Sequence, residues 1–220
     1  MTFPLPFSRY GSPTDVRWWC EPVSAFADMP VPADDAARIG RLARDVDRLR
    51  AVAGTVLLRR AVARISGVST ADLRVLRTCR RCGSDRHGKP WFPETDVHAS
   101  ASHSGWFVAV AVAARPVGID IEAIAAHASG EWGLDEWVRV ESVLKATGDG
   151  LAVDPRSVEL RLDGDHRRVT AYGEGTLDAV TVDLPTGACA VGAVTVLGTG
   201  PLVLKRGDLR DLDEADGVRQ

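Results

Sequence analysis

The sequence predicts an α+β fold, and three observations carry that reading. The first third holds a long apolar repeat of helical period. The middle holds two Val/Ala/Ile-rich runs of strand composition followed by one amphipathic helix, and the last third is a series of short strand-type runs separated by turn residues. A chain of 220 residues with 45% apolar and 26% charged residues suffices for one large domain or for two small ones sharing a core.

The Pro-rich start to about Pro13 reads as an irregular arm, and Val16-Arg-Trp-Trp-Cys20 as a short strand. From Asp34 or Asp35, both plausible N-caps, to Ile65 the pattern is helical. Leu42, Val46, Leu49, Val52, Val56 and Leu57 recur at three- and four-residue spacing. Gly54 and Gly67 predict a break and a stop, hence two helices. Residues 79–99, rich in Gly, Pro and Asp, read as loop. Trp106–Ala113 is a buried strand, Arg115-Pro116 a turn, and Val117–Glu122 the next strand. Leu134–Thr147 is a helix stopped at Gly148, and the remaining strands are 158–162, 169–172, 177–184 and 189–197. The run beginning at Gly105 and the run beginning at Gly187 are alike, and each leads through a turn into another strand. This echo is either a duplicated architecture or the chance likeness of two Val/Ala-rich strands.

The net charge of −3 gives no global reason to expect nucleic-acid binding, and no stretch is apolar enough to span a bilayer. No basic region followed by an apolar run opens the chain, so a cytoplasmic location with reduced thiols is expected for Cys20, Cys79, Cys82 and Cys189. Thirteen arginines fall within residues 38–86. They form either solvated helix faces or a basic surface for an anionic small molecule or acidic partner. Lysine occurs only at Lys89, Lys145 and Lys205. Cys79-Arg-Arg-Cys82-Gly83 with His87 behind it has zinc-ligand spacing; free thiols in a loop are the other reading. A fourth ligand such as Cys20, Cys189 or His98 would come from afar.

On a strand Asp120 and Glu122 project to one face, as a hard-cation site requires. Trp137, Glu141 and Lys145 stack on one helix face, either as a surface ion pair beside a half-buried ring or as a third carboxylate and a phosphate-binding cation. Ser102-His103-Ser104-Gly105 lacks the Gly-x-Ser-x-Gly elbow of a hydrolase, and Gly88-Lys89-Pro90 lacks the spacing of a Walker loop.

In order, Gly-Lys-Pro, Ser-His-Ser-Gly, Val-Gly-Ile-Asp-Ile-Glu and Trp-x-x-x-Glu-Ser-x-x-Lys resemble the motifs of the Sfp-type 4′-phosphopantetheinyl transferases. The resemblance covers about residues 38–150 by motif and the strand-rich tail by pattern. It implies a Mg²⁺ site (Mn²⁺ as the alternative ion) at Asp120, Glu122 and Glu141, with Asp120, Glu141 and Lys145 as catalytic residues and Lys145 on the phosphates. It further implies coenzyme A as substrate, its 3′-phosphate gripped by His103 and Arg50, with Lys89, Pro90 and Ser102 near the nucleotide and Arg38 and Arg41 as a basic pair upstream. The implied partner is an acyl or peptidyl carrier protein, and the implied fold has two similar halves, 1–115 and 116–220, related by a pseudo-twofold and working as a monomer. Two departures stand out. Val140 replaces the lysine usual before the helix Glu, and only Ala123–Glu136 separates the two motifs where relatives have a longer, carrier-docking segment. A coenzyme A-binding relative impaired in transfer and a zinc-stabilised interaction module are the alternatives.

Overall fold

The computed structural model describes residues 14–126 and 132–213. The strands are β1 (Thr14–Pro22), β2 (Leu76–Thr78), β3 (Lys89–Trp91), β4 (His98–Ser104), β5 (Phe107–Ala113), β6 (Val117–Ala123), β7 (Val158–Asp163), β8 (His166–Tyr172), β9 (Ala179–Asp183), β10 (Ala190–Leu197) and β11 (Leu202–Arg206). The helices are α1 (Ala33–Ile39), α2 (Asp45–Ser66), α3 (Leu134–Thr147) and the short α4 (Arg210–Asp213). The architecture is α+β.

A four-stranded sheet runs β11-β1-β5-β4 and a five-stranded sheet runs β6-β10-β9-β8-β7, with β2 and β3 forming a separate hairpin. The chain passes from the first sheet to the second between β5 and β6, and returns between β10 and β11, which pairs in parallel with β1. Residues 202–206 therefore complete the sheet that residues 14–22 begin.

Three apolar clusters stack the layers. The stripe of α2, including Val52, Val56 and Leu57, packs on Val108, Val110 and Val112 of β5. The alternate residues Ala109, Ala111 and Ala113 face the other way, toward Ile119, Ile121 and Val194 of the second sheet. The far side of that sheet is covered by α3 through Val140, Val143 and Leu144. Helix-terminal chemistry agrees with these limits: Gly67 and Gly148 cap α2 and α3 in the left-handed conformation, at φ 77° and 81°.

Two expectations are corrected. The break between the first helices falls at Gly40, not Gly54. Gly54 lies inside α2, where a side chain would meet Val108 at 3.8 Å, and burial of this stripe outweighs the poor helix propensity of one glycine. Residues 79–99 are not all loop, since they include β3 and the start of β4. The sequence His-Ala-Ser-Ala-Ser-His-Ser has little strand propensity of its own. Its reason lies across the seam between the sheets. There β4 and β6 are the facing edge strands, and the hydroxyls of Ser100, Ser102 and Ser104 accept from the backbone N–H groups of Ile119, Ile121 and Ala123 at 3.1, 3.3 and 3.1 Å. Alternate serines thus satisfy an edge that would otherwise leave buried donors unpaired.

Candidate functional site

The seam between β4 and β6 positions the first carboxylates. Asp120 and Glu122 alternate with the core residues Ile119 and Ile121, so both face α3. Gly118 sets how near α3 comes. A Cβ there would lie 2.0 Å from the Ser142 carbonyl oxygen and 2.3 Å from the Ala146 nitrogen, so the helix backbone rests directly on the strand. That approach brings Lys145 over Asp120.

The Lys145 ammonium donates to Asp120 Oδ1 at 2.5 Å and to Ser102 Oγ at 3.1 Å, and lies 3.3 Å from Glu141 Oε2. Ser102 also donates to Asp120 Oδ1 at 2.7 Å, and Ser104 donates to Glu122. Asp120 is buried, and its Oδ2 has no hydrogen-bond partner. Burial raises the Glu141 pKa, as do the charges of Asp120 and Glu122, while Lys145 opposes them. Burial alone would lower the Lys145 pKa, but Asp120 and Glu141 more than offset it and the net shift is upward. Two carboxylates thus share one ammonium with a third, Glu122, on the same strand face, leaving an excess of negative charge and an orphaned buried oxygen. This donor set suits a hard divalent cation. Among the described residues, however, the oxygens of Asp120, Glu122 and Glu141 do not all lie within 4.8 Å of one another.

Lys145 also lines a cavity of about 430 Å³ together with Arg77, Arg81, Lys89 and Pro90. An adjoining cavity of about 210 Å³ is lined by Arg38, Arg77, Arg86, His87 and His103. The two share Arg77, His87, Gly88 and Ala101. Such a concentration of cations suits an anion carrying more than one phosphate. Packing around His103, then the charges of Lys145 and Arg50, lowers its pKa.

Not every expected residue reaches this cleft. Arg50 donates to the Gly105 carbonyl at 2.8 Å and pairs with Asp47 at 3.3 Å, close to His103 but outside the lining of either cavity. Arg38 lines the smaller cavity while bound to Asp35 and Thr55. Arg41 is exposed in the α1–α2 connection and lines neither cavity. The Lys89 ammonium donates to the carbonyls of Val117 and Ala146, fastening the start of β6 to the end of α3, and burial pulls its pKa down to about 7. Its stem lies against Gly148, within van der Waals reach of any side chain placed there. Trp137 is half-buried, edge-on to Trp132 with ring centroids 6.2 Å apart. Val140 is buried under α3, where an ammonium would have no place. Of the short segment between the motifs, residues 127–131 lie outside the described residues.

The site also includes Arg77, Arg81 and Arg86, which sequence reasoning passed over, and His87, which it offered only as a zinc ligand. The run of thirteen arginines was the signal, but no periodicity marks which members of a loop turn inward.

No family model matches the sequence. Among curated proteins, a 4′-phosphopantetheinyl transferase of Bacillus subtilis is 28% identical over 159 residues, which is 61% of this chain and 68% of that protein. The 4′-phosphopantetheinyl transferase ffp of Bacillus subtilis is 26% identical over 161 residues, 62% of this chain and 69% of its own. The 4′-phosphopantetheinyl transferase Sfp of Bacillus subtilis strain 168 is 35% identical over 77 residues, 34% and 31% of the two chains. The chain is a relative of the Sfp-type 4′-phosphopantetheinyl transferases. Within this Sfp-type relative, the motifs that carry the resemblance meet at one seam: Ser102 and Asp120 share Lys145, and Glu141 stands one helical turn before it.

Proposed function

We propose that this chain transfers the 4′-phosphopantetheine arm of coenzyme A to a serine of an acyl or peptidyl carrier protein, releasing 3′,5′-ADP. The observation that carries the reading is the placement of Asp120, Glu141 and Lys145 at the end of an arginine-lined cleft. Asp120, Glu122 and Glu141 would hold the divalent cation, Mg²⁺ by their all-oxygen chemistry, with Mn²⁺ as the alternative. When bound, that ion supplies neutralising charge beside the pyrophosphate.

The chain's own residues account for the rest. Arg38, Arg77 and His103 bind the nucleotide phosphates, and Arg50 holds the turn at Gly105 beside His103. Lys89 and Pro90 shape the wall, with the Lys89 ammonium fixing α3 against β6. Lys145 directs its positive charge at the phosphate that accumulates charge as the leaving group departs. Glu141, one helical turn before Lys145, accepts the proton of the carrier serine. The serine oxygen forms a bond to the β-phosphorus of coenzyme A, the bond from that phosphorus to the bridging oxygen breaks, and 3′,5′-ADP takes the electron pair. The reading keeps two halves, 1–115 and 116–220, about a pseudo-twofold, acting as a cytoplasmic monomer, although β11 of the second half completes the sheet of the first.

The test is intact-mass spectrometry of apo-carrier proteins incubated with the chain, coenzyme A and Mg²⁺. Transfer adds the mass of one phosphopantetheine arm. Coenzyme A binding with no mass gain on polyketide, nonribosomal-peptide and fatty-acid carriers would refute the transfer reading.

A further inference from the structure

The hairpin of β2 and β3 turns through residues 79–88, the part of the cleft wall that the transfer chemistry leaves unexplained. The turn is tightly made. The Cys79 N–H donates to the Ser84 carbonyl and the Gly83 N–H to the Cys79 carbonyl, both at 2.8 Å. Gly83 takes φ 70° and Gly88 φ 112°; a Cβ on Gly88 would lie 2.5 Å from the Thr78 carbonyl oxygen. The chain can therefore return directly beside its outgoing strand, which carries His87 back to the two cysteines.

The Sγ atoms of Cys79 and Cys82 and a ring nitrogen of His87 all lie within 4.8 Å of one another, and Cys82 Sγ is 3.4 Å from His87 Nε2. Zinc bonds of about 2.3 Å to sulfur and about 2.0–2.1 Å to nitrogen, arranged tetrahedrally, put neighbouring ligand atoms about 3.6–3.8 Å apart. The Cys82–His87 pair is close to that spacing, and Cys79 lies within 4.8 Å of both. Among the described residues this is the group of three or more His, Cys, Asp or Glu side chains that meets that span. The backbone N–H groups of Cys82 and Arg81 are directed at the Cys79 sulfur, as at a thiolate ligand. Cys20 is buried and Cys189 is exposed, and neither belongs to the group.

We propose that Cys79, Cys82 and His87 bind one zinc ion, with a water in the fourth position at the rim of the larger cavity. Cys79 and His87 both line that cavity. Two thiolates and a neutral imidazole balance the charge of Zn²⁺, so the ion sits among arginines without adding to their repulsion. Its role is to lock the loop that delivers Arg81 and Arg86 to the cleft. Arg80 performs the complementary docking, pairing with Asp149 beyond α3 at 2.8 Å. The zinc is thus part of the cleft wall, and this assignment stands apart from the transfer reading, because it is read from metal content and spectra alone.

The test uses the full chain purified under reducing conditions, loaded with equimolar zinc and desalted. About one zinc per chain is expected, released when the thiols are titrated with a mercurial and detected with a chromophoric chelator. Replacement by Co²⁺ is expected to give thiolate-to-cobalt charge-transfer absorption and the intense visible bands of a tetrahedral site. In the C79S/C82S double variant, retained zinc should fall at least about tenfold and both bands disappear, while C189S keeps them. Wild-type chain that retains no zinc after loading overturns the proposal, as does a double variant that retains as much as wild type. Should the double variant fail to fold, the wild-type cobalt spectrum decides by itself: octahedral bands without charge transfer exclude the cysteine ligands.

Discussion

Replacing Gly118 by alanine tests the placement of α3 directly. The new Cβ would begin 2.0 Å from the Ser142 carbonyl oxygen and 2.3 Å from the Ala146 nitrogen, whereas ordinary contact begins at 3.4 Å. To accept one methyl group, α3 must move away from β6 by about 1.4 Å, or β6 must buckle by the same amount. Both obstructing atoms are helix backbone, so no side-chain rotation relieves the clash. Overpacking of this kind costs about 1–3 kcal/mol. In a chain of this size that lowers Tm by about 2–4 °C for each kcal/mol. The functional effect should be larger. Lys145 and Glu141 ride on the moving helix, while Asp120 and Ser102 stay with the strands, and an error of about 1 Å at such a centre can cost about 10²-fold in rate. Thermal unfolding, coenzyme A affinity by calorimetry and carrier modification by mass spectrometry should be measured together. The expected pattern is a modest fall in Tm, near-normal coenzyme A binding by the arginine-lined cleft, and a loss of transfer of about 10² or more. A variant with wild-type Tm and transfer within about twofold of normal would refute the inferred dependence on the Gly118 contact.

Two further outcomes follow from the same geometry. Asp120→Asn removes the charge that Lys145 faces and the orphaned oxygen proposed to ligate the cation, so transfer should fall by about 10²-fold or more with the fold kept; retained turnover and unchanged Mg²⁺ dependence would sink the assignment. For His98, burial and then the charge of Lys89 hold the pKa at about 4, below the ordinary 6.5. Between those values the unfolded chain binds a proton that the folded chain does not, so stability falls as pH drops from 6.5 toward 4. His98→Gln should flatten that part of the urea-midpoint profile relative to wild type, and an unchanged slope would show that His98 does not contribute.

How much of this could be read from the sequence differs from residue to residue. The alternation in Val-Gly-Ile-Asp-Ile-Glu placed Asp120 and Glu122 on one face, and the four-residue spacing placed Glu141 and Lys145 on another, because both periods are local properties of the backbone. The stops at Gly67 and Gly148 were readable for the same reason. The strand of alternating serines was not, since its hydroxyls matter only once β6 lies across from them. Lys89 looked like a ligand-binding lysine by its neighbours in sequence, yet its ammonium is spent on two carbonyls that are distant in the chain.

The sequence by itself determined the long helices and the Val/Ala/Ile-rich strands, the facing of the carboxylates and lysine, and the resemblance that orders them, because each depends on residue identity within a turn or two of chain. Only the tertiary structure decided that Gly118 brings α3 onto β6, that Arg77, Arg81 and Arg86 enter the cleft, and that Cys79, Cys82 and His87 come together. Those outcomes turn on close backbone approach and on how loop 79–88 returns upon itself, and neither leaves a periodic trace in the sequence.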